Sequence, residues 1–186
     1  CMSSIVQSLK VTLAIDHPHL GQLTAKLRGP NAQVIALFSR PGLGEGADDG
    51  SGLLAGDSSN LEKGSPITID DAANPSAEDM GSGLFSWEVA CKDDAVCVYK
   101  PAKGSASGPS TLTAAFGGVD AVGKWTLCVG DSNLLTTGTL EQWGLVVQTS
   151  GGTITRQTAA NLGQAIPDDS YDGSLGSMAC RDLTVQ

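Results

Sequence analysis

The residues able to do chemistry are few. The two histidines, His17 and His19, straddle Pro18 in "HPHLGQL". A hydrolytic triad needs a Ser or Cys nucleophile, a His base and an orienting carboxylate held together in space. No Gly-x-Ser-x-Gly elbow or comparable feature accompanies either histidine, so a non-catalytic chain is expected. The stretch "GLGEGADDGSG" has no lysine and does not join a strand to a helix, which excludes a phosphate-binding loop. It reads as a solvated loop. Carboxylates offer a second chemistry. Calcium is held by clustered carboxylate and carbonyl oxygens. "GEGADDGSG", "IDDAANPSAED" and "VGD" supply such groups, with Asp48 and Asp49 in the first, and none has EF-hand spacing.

The third chemistry is that of thiols. Five cysteines are present: Cys1, Cys91, Cys97, Cys128 and Cys180. "CKDDAVC" is too widely spaced for a C-x-x-C redox motif, and no second Cys/His pair stands near it to complete a zinc site. It reads instead as a local Cys91–Cys97 disulfide, worth roughly 2 kcal/mol in the chain-entropy account. The odd total leaves the remaining pairing open. One bond between subunits fits it, with Cys1 or Cys180 as the natural partner.

These groups must be carried by something, and the composition says what kind. The chain has 186 residues, 40% hydrophobic and 17% charged, with a net charge of −9. That suffices for one domain with a real core, or one domain with an extension. No apolar run approaches the ~20 residues of a membrane-spanning helix. The acidic balance argues against nucleic acid, which needs clustered Lys and Arg. No leader-like segment precedes "CMSSIVQ", as expected of a mature secreted or cell-surface protein.

Period-two alternation dominates the chain. In "LKVTLAI", Leu9, Val11, Leu13 and Ile15 point one way, and Lys10, Thr12 and Ala14 the other. The pattern recurs in "LTAKL", "QVIALFS", "SPITID", "FSWEVA", "AVCVY", "TLTAAF", "KWTLCVG" and "EQWGLVVQ". Short alternating runs bounded by Gly, Pro, Asp, Asn and Ser predict an all-β antiparallel sandwich or jelly roll with little helix. Trp125, Leu127 and Val129 share one strand face, and Trp143 and Leu145 share a face of the next. They are expected in the core, each indole worth about 2–3 kcal/mol by burial.

"GKWTLCVGDSNLLTTGTLEQWGLVV" resembles the end of the P domain (P/Homo B domain) of proprotein convertases and bacterial subtilisin-like proteases. That family carries Gly-x-Trp-x-Leu-x-Val-x-Asp, a turn, then Gly-x-Leu-x-x-Trp-x-Leu. Gly123, Trp125, Leu127, Val129 and Asp131 fill the first part, and Gly138, Leu140, Trp143 and Leu145 the second. "HPHLGQL", "LRGP", "ITIDDAA" and "LTAAFGG" resemble further family motifs in the same order, over about residues 5–149. The resemblance implies a jelly roll, a structural role for His17, and Asp70, Asp71 and Asp131 as candidate calcium ligands. Gln22 departs from it, standing where the family has Asp. The protease domain that usually precedes a P domain is absent from these residues.

The segment "AIPDDSYDGSLGSMACRDLTV" resembles the entry and first strand of the same domain, with Ile166, Pro167 and Asp168 in order. The family has this piece before the strand that leads into the histidine; here it lies after the last core strand. The expected organisation is therefore a sandwich over 1–149, a linker over 150–165, and a C-terminal strand segment over 166–186. Its strand, carrying Cys180, Leu183 and Val185, is expected to be the first strand of the fold transferred to the C-terminus. It returns to its own domain, enters the next subunit to build a fibre, or serves the next repeat of a longer chain. The expected function is an extracellular module that polymerises with itself by strand donation. The alternative is an accessory domain that stabilises or targets a secreted subtilisin-like protease.

Overall fold

The computed structural model describes residues 3–186. Its elements are β1 (Val6–Asp16), β2 (Leu23–Arg28), β3 (Val34–Ser39), β4 (Ile67–Asp70), β5 (Val98–Tyr99), α1 (Leu112–Phe116), β6 (Gly123–Asp131), β7 (Gly138–Thr149), β8 (Gly152–Gln157), β9 (Gln164–Ile166) and β10 (Ala179–Val185). Two sheets form. One runs β5-β4-β1-β7-β8 with β9 also on β7, and the other runs β10-β6-β2-β3. Nearly all pairings are antiparallel, β4–β5 being parallel. The regular structure is nearly all strand, in two sheets with almost no helix, as the alternation predicts.

Side chains from both sheets meet in one core. Leu9, Val11, Leu13 and Ile15 of β1 and Trp143, Leu145 and Val147 of β7 from one sheet meet Leu23, Ala25 and Leu27 of β2 and Trp125, Leu127 and Val129 of β6 from the other. The ring of Phe116 packs edge-on against Trp125 with centroids 4.9 Å apart.

Three segments differ from expectation. "TLTAAF" is the short helix α1, because Thr111 caps its start through Ala114 N and the Asp71 carboxylate accepts from Leu112 N and Thr113 N. Those bonds satisfy the amides a helix start leaves free. "FSWEVA" is a run of turns, and Phe85 and Trp87 stack on each other in solvent with centroids 4.7 Å apart. The stretch expected as a linker, 150–165, carries β8, which pairs along β7 from Thr149↔Gly152 to Gly144↔Gln157. Of its polar sequence TITRQ only Ile154 is partly buried against the core, so its backbone ladder and the tight turn at Ser150–Gly151 do most to hold it there.

β2 is buried on both faces, Thr24 and Lys26 included. The cover over its outer face consists of the 40–58 loop and the C-terminal segment. Much of that loop is exposed, as its composition suggests, but it is organised at its base. Arg40 is buried at its base and bonds Glu45 (2.9 Å), the Ser51 carbonyl (2.9 Å) and the Ala47 carbonyl (3.3 Å). Three loop oxygens are thus gathered around one guanidinium, whose fixed fork of donors suits that role.

Candidate functional site

The best-defined polar arrangement among the described residues is the seat of the C-terminal segment. β10 lies at the edge of its sheet, paired with β6 from Ala179↔Val129 to Val185↔Gly123. Val185 and Ala179 are buried and Leu183 is partly so. Arg181 shares their face by register but is exposed, since an edge strand lets a long side chain reach water. An inward-facing charge of this kind also discourages further edge-to-edge pairing. On the opposite face Cys180 is bonded to Cys128, its direct partner in register. Both sulfurs belong to one chain in the structure, where a bond between subunits was expected for Cys180; the loop so closed spans 52 positions and corresponds to about 4 kcal/mol in the chain-entropy account. Cys91 and Cys97 form the second disulfide, as their spacing predicts. Cys1 lies outside the described residues.

Upstream of β10 the segment is anchored by Tyr171. Its ring packs with Met178 and Cys128 as a separate buried cluster on the outer face. Two glycines make the bed. A Cβ on Gly130 would sit 2.7 Å from the Tyr171 ring, and one on Gly50 would meet the Tyr171 carbonyl. Lys26 lies beneath, its Nζ 5.4 Å from the ring centroid, donating to Asp48 Oδ2 (2.7 Å) and to the Gly173 carbonyl (3.1 Å). The Tyr171 hydroxyl donates to Asp48 Oδ1. One carboxylate thus ties β2 and the loop to the segment, with charge-assisted bonds on both oxygens.

Burial, followed by the hydrogen bond to Asp48 and that carboxylate's charge, pushes the Tyr171 hydroxyl well above the ordinary tyrosine range. The sign is that of an acid favoured neutral in the folded state. Its contribution is intact below the unfolded value of about 10 and is lost as pH climbs above it. Alkaline titration of wild type against Tyr171→Phe is expected to show the seat opening above that pH in wild type only, read by protease cleavage within 164–178.

Asp131 joins this seat to the centre of the molecule. Its side chain is wholly buried and accepts from His17 Nε2 (2.8 Å) and Asn133 N (3.0 Å). His17 Nδ1 accepts from His19 N (3.0 Å), which assigns the ring proton to Nε2. The carbonyl of Asp131 accepts from Ser170 N and Tyr171 N, both at 3.1 Å. His17 is thereby fixed in a buried pair with Asp131. Among the described residues no serine or cysteine is hydrogen-bonded to the His17 side chain. Replacing Asp131 with Ala strands two buried donors, at about 1–3 kcal/mol each. Urea denaturation is expected to show a loss of that order, with Asp131→Asn milder.

The five carboxylates considered for calcium are not brought together. Asp131 is engaged by His17, Asp71 by the start of α1, Asp48 by Lys26 and Tyr171, and Asp70 by Ala72 N and Lys10. Asp49 is exposed, its carboxyl held below the usual range by hydrogen bonds from the Ser51 side chain and backbone. Among the described residues no group of three or more His, Cys, Asp or Glu side chains stands close enough to hold a metal ion.

Tyr171, Gly130 and Lys26 escape a reading of motifs. The available signal was a lone tyrosine in the otherwise polar "DDSYDG". No family model, curated protein or solved structure matches this chain.

Proposed function

We propose that the chain is a non-catalytic extracellular structural module, a jelly roll of the P-domain type, whose copies join into a fibre by exchanging residues 164–186. The observation that carries this reading is the separability of that segment. It contributes Ile166, Tyr171, Met178, Ala179 and Val185 to buried sites, and all its partners belong to one continuous body. It leaves that body through Ala159–Gly163, a stretch without regular structure. Such a unit can leave its own body and fill the same seat in a neighbour with no new contact type.

Proximity supports the transferred first strand. The Ser4 carbonyl accepts from Ala121 N and Ile5 bridges Asp120, while Val185 pairs with Gly123. β10 thus finishes beside the start of β1, as a strand running into β1 would. Two disulfides suit an oxidising, extracellular setting. Among the described residues no helix is long and apolar enough to cross a membrane.

Purified protein is expected to form end-to-end filaments that grow with concentration, seen by light scattering and negative-stain microscopy. A monomer that persists at high concentration would show that the segment stays on its own body and would end the fibre reading.

A further inference from the structure

We infer that in the fibre the Cys128–Cys180 bond, which the structure shows within one chain, is made between two copies, so that each junction is covalent; this rests on the exchange of residues 164–186 proposed above. The two cysteines fall on opposite sides of the division, Cys128 on β6 of the body and Cys180 on the segment. The ladder fixes them opposite each other, flanked by Ala179↔Val129 and Arg181↔Leu127. The Tyr171 seat on Gly130 and Asp48 sets the same register from the other end. Whichever copy supplies the segment, the same two sulfurs meet. Cys91 and Cys97 sit six positions apart inside the body, so their bond stays within one chain in every arrangement.

The order of events follows from burial. Cys128 is 1% exposed once Tyr171 and Met178 lie over it. Before docking, β6 is an open edge and the Cys128 thiol is accessible. The bond therefore forms as the segment docks. The two thiols give up two protons and two electrons to a disulfide oxidant, such as oxidised glutathione, which leaves as two thiols. Afterwards the cover shields the bond from exchange. Polymerisation by pairing alone is reversible; sealing each junction makes the fibre permanent until it is reduced.

The test refolds equal amounts of unlabelled and 15N-labelled reduced protein together with oxidised glutathione, then collects the assemblies. Non-reducing denaturing gels are expected to show a ladder of chain multiples that collapses to one band with reductant. Unreduced digests are expected to contain Cys128–Cys180 peptides with one labelled and one unlabelled half, while Cys91–Cys97 peptides carry a single label. A Cys128→Ser/Cys180→Ser chain should still assemble yet fall to single chains in detergent. Wild-type assemblies that disperse to single chains without reductant, or Cys128–Cys180 peptides of single label only, would overturn the covalent junction. Absence of assembly in both proteins would instead overturn the fibre reading beneath it.

Discussion

A chain cut after Gly163 is expected to form no assemblies and to lose cooperative unfolding at room temperature, and added peptide 164–186 is expected to restore the fold and cap it as a monomer. The cut removes Ile166, Tyr171, Met178 and Val185, four large side chains that are at least nine-tenths buried. At about 1.5–3 kcal/mol each, their loss rivals a typical total stability of roughly 5–15 kcal/mol. It also frees the edge of β6 and strips Tyr171 and the Gly173 carbonyl from the Asp48–Lys26 pair. An open edge over an apolar groove invites irregular association, so amorphous aggregate is the expected companion of the cut chain. The peptide brings back ladder, anchor and thiol together. Its binding is expected to fail when Tyr171 is Ala, or when Gly130 of the body is Val and the aromatic seat is filled. A cut chain that unfolds as cooperatively as the intact protein would mean that the segment is an ornament, and the proposed exchange would lose its driving force.

How far the sequence reached can be traced strand by strand. Alternation located β1, β6 and β7 because each has one face on the core and one toward water or a thin cover. It did not reveal that β2 is buried twice over, since what covers Lys26 comes from residues 48 and 171–173, remote in the chain. β8 was invisible for the opposite reason. TITRQ buries only part of Ile154, and its pairing with β7 is what makes it a strand. "TLTAAF" alternates well enough for a strand, but capping by Thr111 and Asp71 decides for a helix turn. The same carboxylates illustrate the limit for sites. Asp71, Asp131 and Asp48 stand in oxygen-rich loops that suggest a cation, yet each takes its compensation from protein donors: helix amides, an imidazole, an ammonium with a phenol. Composition lists the oxygens; the fold chooses their partners. The C-terminal strand itself was legible, because Leu183 and Val185 alternate with polar residues and fall on one face of β10.

The two core indoles, alike in sequence, are expected to separate sharply under substitution. Both are essentially unexposed, so Trp125→Ala and Trp143→Ala should each cost ~3–5 kcal/mol through lost burial and a cavity. Their polar ends differ. Trp125 Nε1 donates to the Ala121 carbonyl at 2.9 Å, and its ring meets Phe116 edge-on. Trp143 Nε1 is buried with no hydrogen-bond partner among the described residues. Phenylalanine at 125 therefore removes a satisfied bond and leaves the Ala121 carbonyl without its donor, in the stretch where Ser4 and Val185 both attach. Phenylalanine at 143 removes a donor that already bears the cost of desolvation, and that gain offsets part of the lost volume. Trp125→Phe is expected to be the more destabilising by about 1–3 kcal/mol, the usual cost of a stranded buried polar group. It should also loosen β10, because Gly123 and Lys124 pair with Val185 and Thr184 only two residues and one residue away. Urea denaturation gives the first quantity, and hydrogen exchange at Leu183–Val185 gives the second. Equal costs for the two phenylalanine variants would show that the indole nitrogens do not matter. Loosening of β10 by Trp143→Phe alone would place the support of the exchanged strand in the opposite sheet.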